Sequence, residues 1–255
     1  MDPYSWSWNA EAFVIVGLTA AYFLAIRGLD APAWRIACFL GAMVMLLAVS
    51  VTPIHTLGMH YLLTMHLLQN VVLAEWAPLL VVLAIPAALA AAIAGHGAVR
   101  TLTHPAVALP LWLANYMIWH LPWVYDAALR SPGALLHLEH AMYLVTGLAM
   151  WWCVVQDEPH RLGPGSRAAY VFAAFVLASP IGLVMALTPS AIYDFYVEAH
   201  HRVWGLDPLA DQQLAGMLMA AEQAIVFFAV FAYWFFRFLL EEERRADVDR
   251  PPARA

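Results

Sequence analysis

The sequence is poor in charge. Only 12% of its 255 residues are Asp, Glu, Lys or Arg, against about one quarter in soluble domains, while 64% are hydrophobic and the mean hydropathy is +0.70. That deficit excludes an ordinary water-soluble domain. It points to an integral membrane protein whose length goes into spans rather than into a second domain. Lysine is absent and the 12 basic residues are all arginine. With a net charge of −6 and no RNA- or DNA-binding motif, no nucleic acid is expected as a partner. The two cysteines, Cys38 and Cys153, each sit in an apolar run. They offer neither a CxxC redox pair nor a thiolate metal site and read as small core residues. No nucleophile–base pair, phosphate loop or dinucleotide fingerprint is present, which argues against an enzyme of those classes. The opening MDPYSWSWNAEAF lacks a basic stretch, so the first apolar run is expected to be a retained span and not a cleaved signal peptide.

What is abundant is long apolar runs. A helix of about 20 apolar residues crosses a bilayer, and seven runs qualify, at roughly 10–27, 34–52, 58–83, 106–125, 135–155, 167–188 and 211–237. The third continues in apolar sequence to Ala94, but Pro78 and Pro86 interrupt it, predicting a kink or break followed by an interfacial piece. Seven spans place Arg27, Arg35, Arg100, Arg161, Arg167, Arg237, Arg244, Arg245, Arg250 and Arg254 on one side, leaving Arg130 and Arg202 on the other. An eighth span at 79–94 would scatter them. The expected fold is therefore an all-α bundle of seven transmembrane helices, N-terminus outside and C-terminus in the cytoplasm. Residues 1–240 form one domain, and the charged, Pro-containing tail 241–255 is expected to be disordered.

That topology sorts the histidines. Eight of the 11 fall at or near the outer surface: His55, His60, His66, His120, His137, His140, His200 and His201. Imidazole is the commonest metal ligand. The stretch from Trp119 to His140 carries three of the eight. His137 and His140, three apart on a helix, share one face and form a preorganised pair of donors. His66 lies about 12 Å below the start of the third run, at roughly 1.5 Å per residue, with Met59, Gln69 and Asn70 along its face. Polar groups at that depth normally face the bundle interior. His60 points elsewhere, as a ligand or an interfacial residue. Tyr116, Met117 and His120 share a face of the fourth run. Asp126 could orient a ring as an outer-shell partner or cap a helix, and Glu139 points away from its neighbours, toward lipid headgroups, solvent or another helix. Glu198 and His201 form an ExxH spacing that arises often by chance. Asp211 is placed at the N-cap of the last span, with Met217 and Met219 beyond it.

The candidate metal ligands are thus His66, His120, His137, His140 and His60, with Met59 and Met117 as soft donors. Gln69, Asn70, Asp126 and Asp211 stand behind them. A His/Met donor set suits copper, Cu(I) or Cu(II), better than iron or magnesium; zinc or haem are the lesser alternatives. From the residues alone, the reading is a seven-span protein with a metal site near its outer surface. Its alternatives are a membrane metalloenzyme, a haem redox protein, and a structural partner whose histidines are only hydrogen-bonded.

Several segments carry a resemblance: HLLQNVVLAEWAPLLVVLAIP from His66, WHLPWVYDAAL (119–129), HLEH (137–140), WW (151–152) and DQQLAGMLM (211–219). Together they resemble the multi-pass CtaG family of cytochrome c oxidase assembly proteins, over about residues 50–220. The resemblance implies seven spans in a bacterial cytoplasmic (inner) membrane and a role in maturing haem–copper oxidase. It also implies copper supply to the oxidase catalytic subunit, or receipt from a copper donor, without catalysis. The family's third-span motif is HxxxH with a preceding Gln; His66 and Gln69 match it, and Asn70 replaces the second histidine.

Overall fold

The computed structural model describes residues 2–199 and 201–248, and among them every regular element is a helix. Helix α1 (Ala10–Ala25) starts where the Asn9 side chain accepts the Ala12 N–H at 3.3 Å, an N-cap. Helix α2 (Ala33–Val51) ends at Thr52, which caps α3 (Pro53–His60), with Pro53 in the first turn where its missing N–H costs nothing. After a two-residue break, α4 (Leu63–Val71), a π-helical turn (Val72–Trp76) and α5 (Ala77–Ala84) run on as one apolar helix of 22 residues.

Of the two prolines expected to kink or break this run, Pro86 ends the helix and Pro78 does not. Its ring removes the N–H that would bond the Ala74 carbonyl, and the π turn just before it absorbs the misfit. Gly147 of the neighbouring helix packs onto that carbonyl so closely that a Cβ there would lie 2.2 Å from Ala74 O. The chain turns instead at Ile85–Pro86, and α6 (Ala87–Ala94) and α7 (Gly97–Leu102) follow as short pieces.

Next come α8 (Pro105–Trp119), α9 (Pro122–Arg130), α10 (Ala134–Val155), α11 (Pro164–Leu187), α12 (Asp194–Val197) and α13 (Pro208–Val248). Among the described residues five helices are long and apolar enough to cross a membrane: Ala33–Val51, Leu63–Ala84, Ala134–Val155, Pro164–Leu187 and Pro208–Val248. The other two expected spans, α1 and α8, are helical but shorter, at 16 and 15 residues. Helix α13 has 41 residues, about 60 Å at 1.5 Å per residue, twice the hydrocarbon thickness. It carries on through the charged stretch to Val248, where sequence suggested disorder; residues 249–255 and His200 lie outside the described residues.

The span Leu63–Ala84 is the axis of the bundle. Two thirds of it is buried, against one third of α11 and α13, and α2, α10 and α13 all pack on it. Helices α11 and α13 make the most extensive pairing, with Gly182 and Gly216 letting the backbones meet, as small residues do between membrane helices. In the core Trp112, Trp151 and Phe227 are wholly buried, the two indoles 5.9 and 5.1 Å from the phenyl ring.

Candidate functional site

The HLEH stretch of α10 places His137 and His140 one turn apart, and both rings reach the same carboxylate. Glu11, in the first turn of α1, accepts from His137 Nδ1 at 3.0 Å and His140 Nδ1 at 2.6 Å through one oxygen, and from Ser50 Oγ at 3.2 Å through the other. Three helices are thereby tied at one end of the bundle. His140 is buried, and its Nε2 has no partner. A carboxylate on one ring nitrogen with the other left free is the arrangement that orients an imidazole toward a metal.

Opposite, on α4, His66 is 0% exposed and neither ring nitrogen has a hydrogen-bond partner. Buried polar atoms are seldom left alone, so this ring keeps unused hydrogen-bonding capacity inside the bundle. Its ring centroid is 6.4 Å from that of His140. Its Nε2 is 3.7 Å from Glu139 Oε1, and that oxygen accepts from Asn70 Nδ2 at 3.0 Å. Glu139, expected to point away from its neighbours toward headgroups, solvent or another helix, meets another helix: it is buried against α4, where Asn70 supplies its donor. Beside it, Gln69 Nε2 lies 3.4 Å from His55 Nδ1. Burial pushes the His55 imidazole down to about 4, outweighing the Glu11 carboxylate that favours its cation.

Two devices hold His66 in place. Gly58 of α3 lies so close to α4 that a Cβ would be 2.9 Å from His66 N. Asp211, wholly buried, accepts from Leu63 N at 2.7 Å, Thr64 N at 3.0 Å and Thr64 Oγ1 at 2.7 Å. It was placed at the N-cap of the last span, but Asp207 does that work, accepting from Ala210 N at 2.8 Å. Asp211 sits one turn further in and caps α4 from across the bundle, because the N–H groups at the start of that buried helix have no water to meet.

The other candidates lie elsewhere. His137 shares Glu11 but is 44% exposed on its side chain. His120 caps α8, its Nδ1 2.8 Å from Tyr116 O and its Nε2 unpartnered. The Tyr125 ring stands between it and His66, 6.4 and 5.1 Å from each. His60 is exposed, beside Arg130 and Glu198. Met59 is buried in the apolar core and Met117 is exposed on α8. Asp126 orients no histidine; it accepts the N–H groups of Asp194 and Phe195 at the start of α12. Glu198 of the ExxH spacing pairs with Arg130 at 2.9 Å. Among the described residues no three His, Cys, Asp or Glu side chains converge tightly enough to hold an ion together.

Glu11 and His55 were not foreseen. Glu11 had a signal, since an acid opening an apolar run of α1 has no ordinary partner; His55 had none beyond its residue type. A cavity of about 390 Å³ between α1, α2 and α10 reaches Glu11 and is lined also by Leu46, Ser50, Leu73, His137 and His140.

Membrane-length apolar helices packed around buried histidines and carboxylates point to a membrane protein with a polar interior. The particular family follows from comparison with known families: the model of the cytochrome c oxidase caa3 assembly factor (Caa3_CtaG) matches residues 18–240. The chain belongs to that family. No curated protein and no solved structure matches it.

Proposed function

We propose that this protein is a membrane-embedded assembly factor that handles copper for cytochrome c oxidase, with His66 and His140 as the core of its binding site. The observation that carries the reading is the pair of buried imidazoles with free nitrogens, their centroids 6.4 Å apart, one of them backed by Glu11. Two imidazoles sharing one ion, with metal–nitrogen distances of about 2 Å, bring their ring centres to about 6 Å. Cuprous copper accepts as few as two donors, which suits a cargo site that must later release its ion. Glu139 gives the pocket negative charge without a third close ligand, and His137 stands at the mouth of the cavity as a first contact for an arriving ion.

In this reading seven helices span a bacterial inner membrane, with the histidine end outside and α13 running into the cytoplasm. The arginine asymmetry supports that orientation. The partner is the oxidase catalytic subunit or a copper donor, and the protein moves an ion without making or breaking covalent bonds in a substrate.

Copper per protein, measured on gently purified material, tests the site. His66→Ala and His140→Ala should each lose most of the copper and His60→Ala none; full copper in both of the first two refutes the assignment. A deletion strain should lose oxidase activity and regain it with added copper, and normal oxidase would refute the copper-supply role. A Soret band in the visible spectrum would favour the haem alternative.

A further inference from the structure

Halfway along the span Leu63–Ala84, within the π turn, lies a second ionisable residue, Glu75. It is about 18 Å from the start of the span at 1.5 Å per residue and 0% exposed. Facing it from α13 is Glu222, 7% exposed. Gln223, next to Glu222, reaches Glu75, and Trp76, next to Glu75, reaches Glu222, so the two acids are brought together.

Their surroundings supply donors, not acceptors. Gln223 Nε2 lies 3.1 Å from Glu75 Oε1 and 3.0 Å from the Tyr116 hydroxyl, and the Trp76 indole donates to Glu222 Oε2 at 2.9 Å. That leaves one oxygen on each acid, Glu75 Oε2 and Glu222 Oε1, buried with no protein donor. The facing titratable groups are tyrosines: Tyr116 from α8 and Tyr143 from α10. The Tyr143 hydroxyl is also wholly buried, unpartnered and within electrostatic range of Glu75. No arginine or histidine forms an ion pair with either acid among the described residues.

Two ionised carboxylates brought together in a medium of low dielectric repel strongly, and one proton between them turns the repulsion into a short, charge-assisted hydrogen bond. The donor ring formed by Gln223 and Trp76 completes the match, since it satisfies the outer oxygens and opposes a metal cation. We propose that Glu75 and Glu222 form a proton-binding site in the middle of the membrane, holding one proton between Glu75 Oε2 and Glu222 Oε1 at neutral pH. The site is separate from the histidine cluster and needs no metal. It gives the bundle a single buried negative charge whose proton can exchange.

Infrared spectroscopy of the full-length protein in detergent or nanodiscs tests this. The wild type at neutral pH should show a protonated-carboxyl C=O band that shifts in deuterium oxide and on labelling with 13C-glutamate. Glu75→Gln and Glu222→Gln should each abolish the band, because the new amide donates to the remaining carboxylate, while Glu139→Gln should leave it. Absence of any such glutamate band in the wild type overturns the proposal, as does a band removed by Glu139→Gln but kept in both other variants. A band that grows only when sodium and potassium are replaced by choline would assign the site to an alkali cation and overturn it as well. The isotope and cation measurements need no variant, so the proposal stays testable if a substituted protein does not fold.

Discussion

At the histidine end of the bundle, buried ring nitrogens on His66, His120 and His140 have no partner; halfway along, Gln223 and Trp76 donate to two acids, each of which keeps one carboxyl oxygen unsatisfied. Both clusters rest on the same central helix and both are closed by side chains far away in sequence. What differs is the leftover chemistry. Free imidazole lone pairs beside Glu139 and Glu11 suit a soft cation. Paired carboxyl oxygens ringed by N–H groups suit a proton. One fold thus keeps two polar sites in an apolar medium by leaving each a different deficit, and the separation can be tested by breaking one site while watching the other.

The largest effect should come from Asp211→Ala, which undoes the support common to both. It leaves the buried N–H groups of Leu63 and Thr64 alone, at about 1–3 kcal/mol each, and frees the start of the central helix. The thermal midpoint in detergent should fall sharply and copper should be lost; an unchanged midpoint would mean that α4 is held by other contacts. Second, Glu11→Gln weakens the carboxylate behind His140 without touching the ring, and copper affinity should drop about 10–100-fold. The Glu75→Gln and Glu222→Gln variants should keep wild-type copper affinity, and a matching loss in them would mean that the two clusters are not independent.

Third, Gly147→Ala forces a methyl group toward Ala74 O and should cost about 1–3 kcal/mol by overpacking, seen as a lower midpoint with copper stoichiometry retained. Fourth, His55 is held neutral in the folded state, near 4 against 6.5 when free. Its contribution is therefore present above pH 6.5 and is lost as the pH falls toward 4; His55→Gln should flatten the decline of stability over that interval. The smallest effect is Arg130→Ala. Its pair with Glu198 is 50% and 65% exposed, so the change should stay within about 0–1 kcal/mol and leave both sites intact.

The helical architecture was legible because apolar runs of membrane length leave few alternatives, and the HLEH pair was legible because a three-residue spacing fixes a shared face. The sequence did not say what that face meets. His137 and His140 turn to Glu11, a contact 129 residues away for His140, and no local pattern encodes it. The sequence left Glu139 between headgroups, solvent and another helix because helical phase gives a direction relative to its neighbours, not which side is interior. Asp211 has the composition of a cap, and it is one, but for another helix. Pro78 looked like a break because a proline removes one hydrogen bond; the π turn and Gly147 that compensate are visible only in three dimensions. Glu75 and Glu222 stood in plain view as acids within apolar runs, the strongest sign of an internal site that a membrane sequence can give.

The trans-bundle cap has a consequence for how the chain is made. Leu63 and Thr64 enter the membrane long before Asp211 exists, and Glu75 long before Gln223, each pair being 147 or 148 residues apart. During synthesis the central helix must wait, its first turn and its carboxyl unsatisfied, sheltered by the insertion machinery or kept near the water surface, until the last helix arrives. Helix α13 is therefore the closing step of biogenesis, and a ribosome stalled before residue 208 would leave a product with both interior sites unfinished.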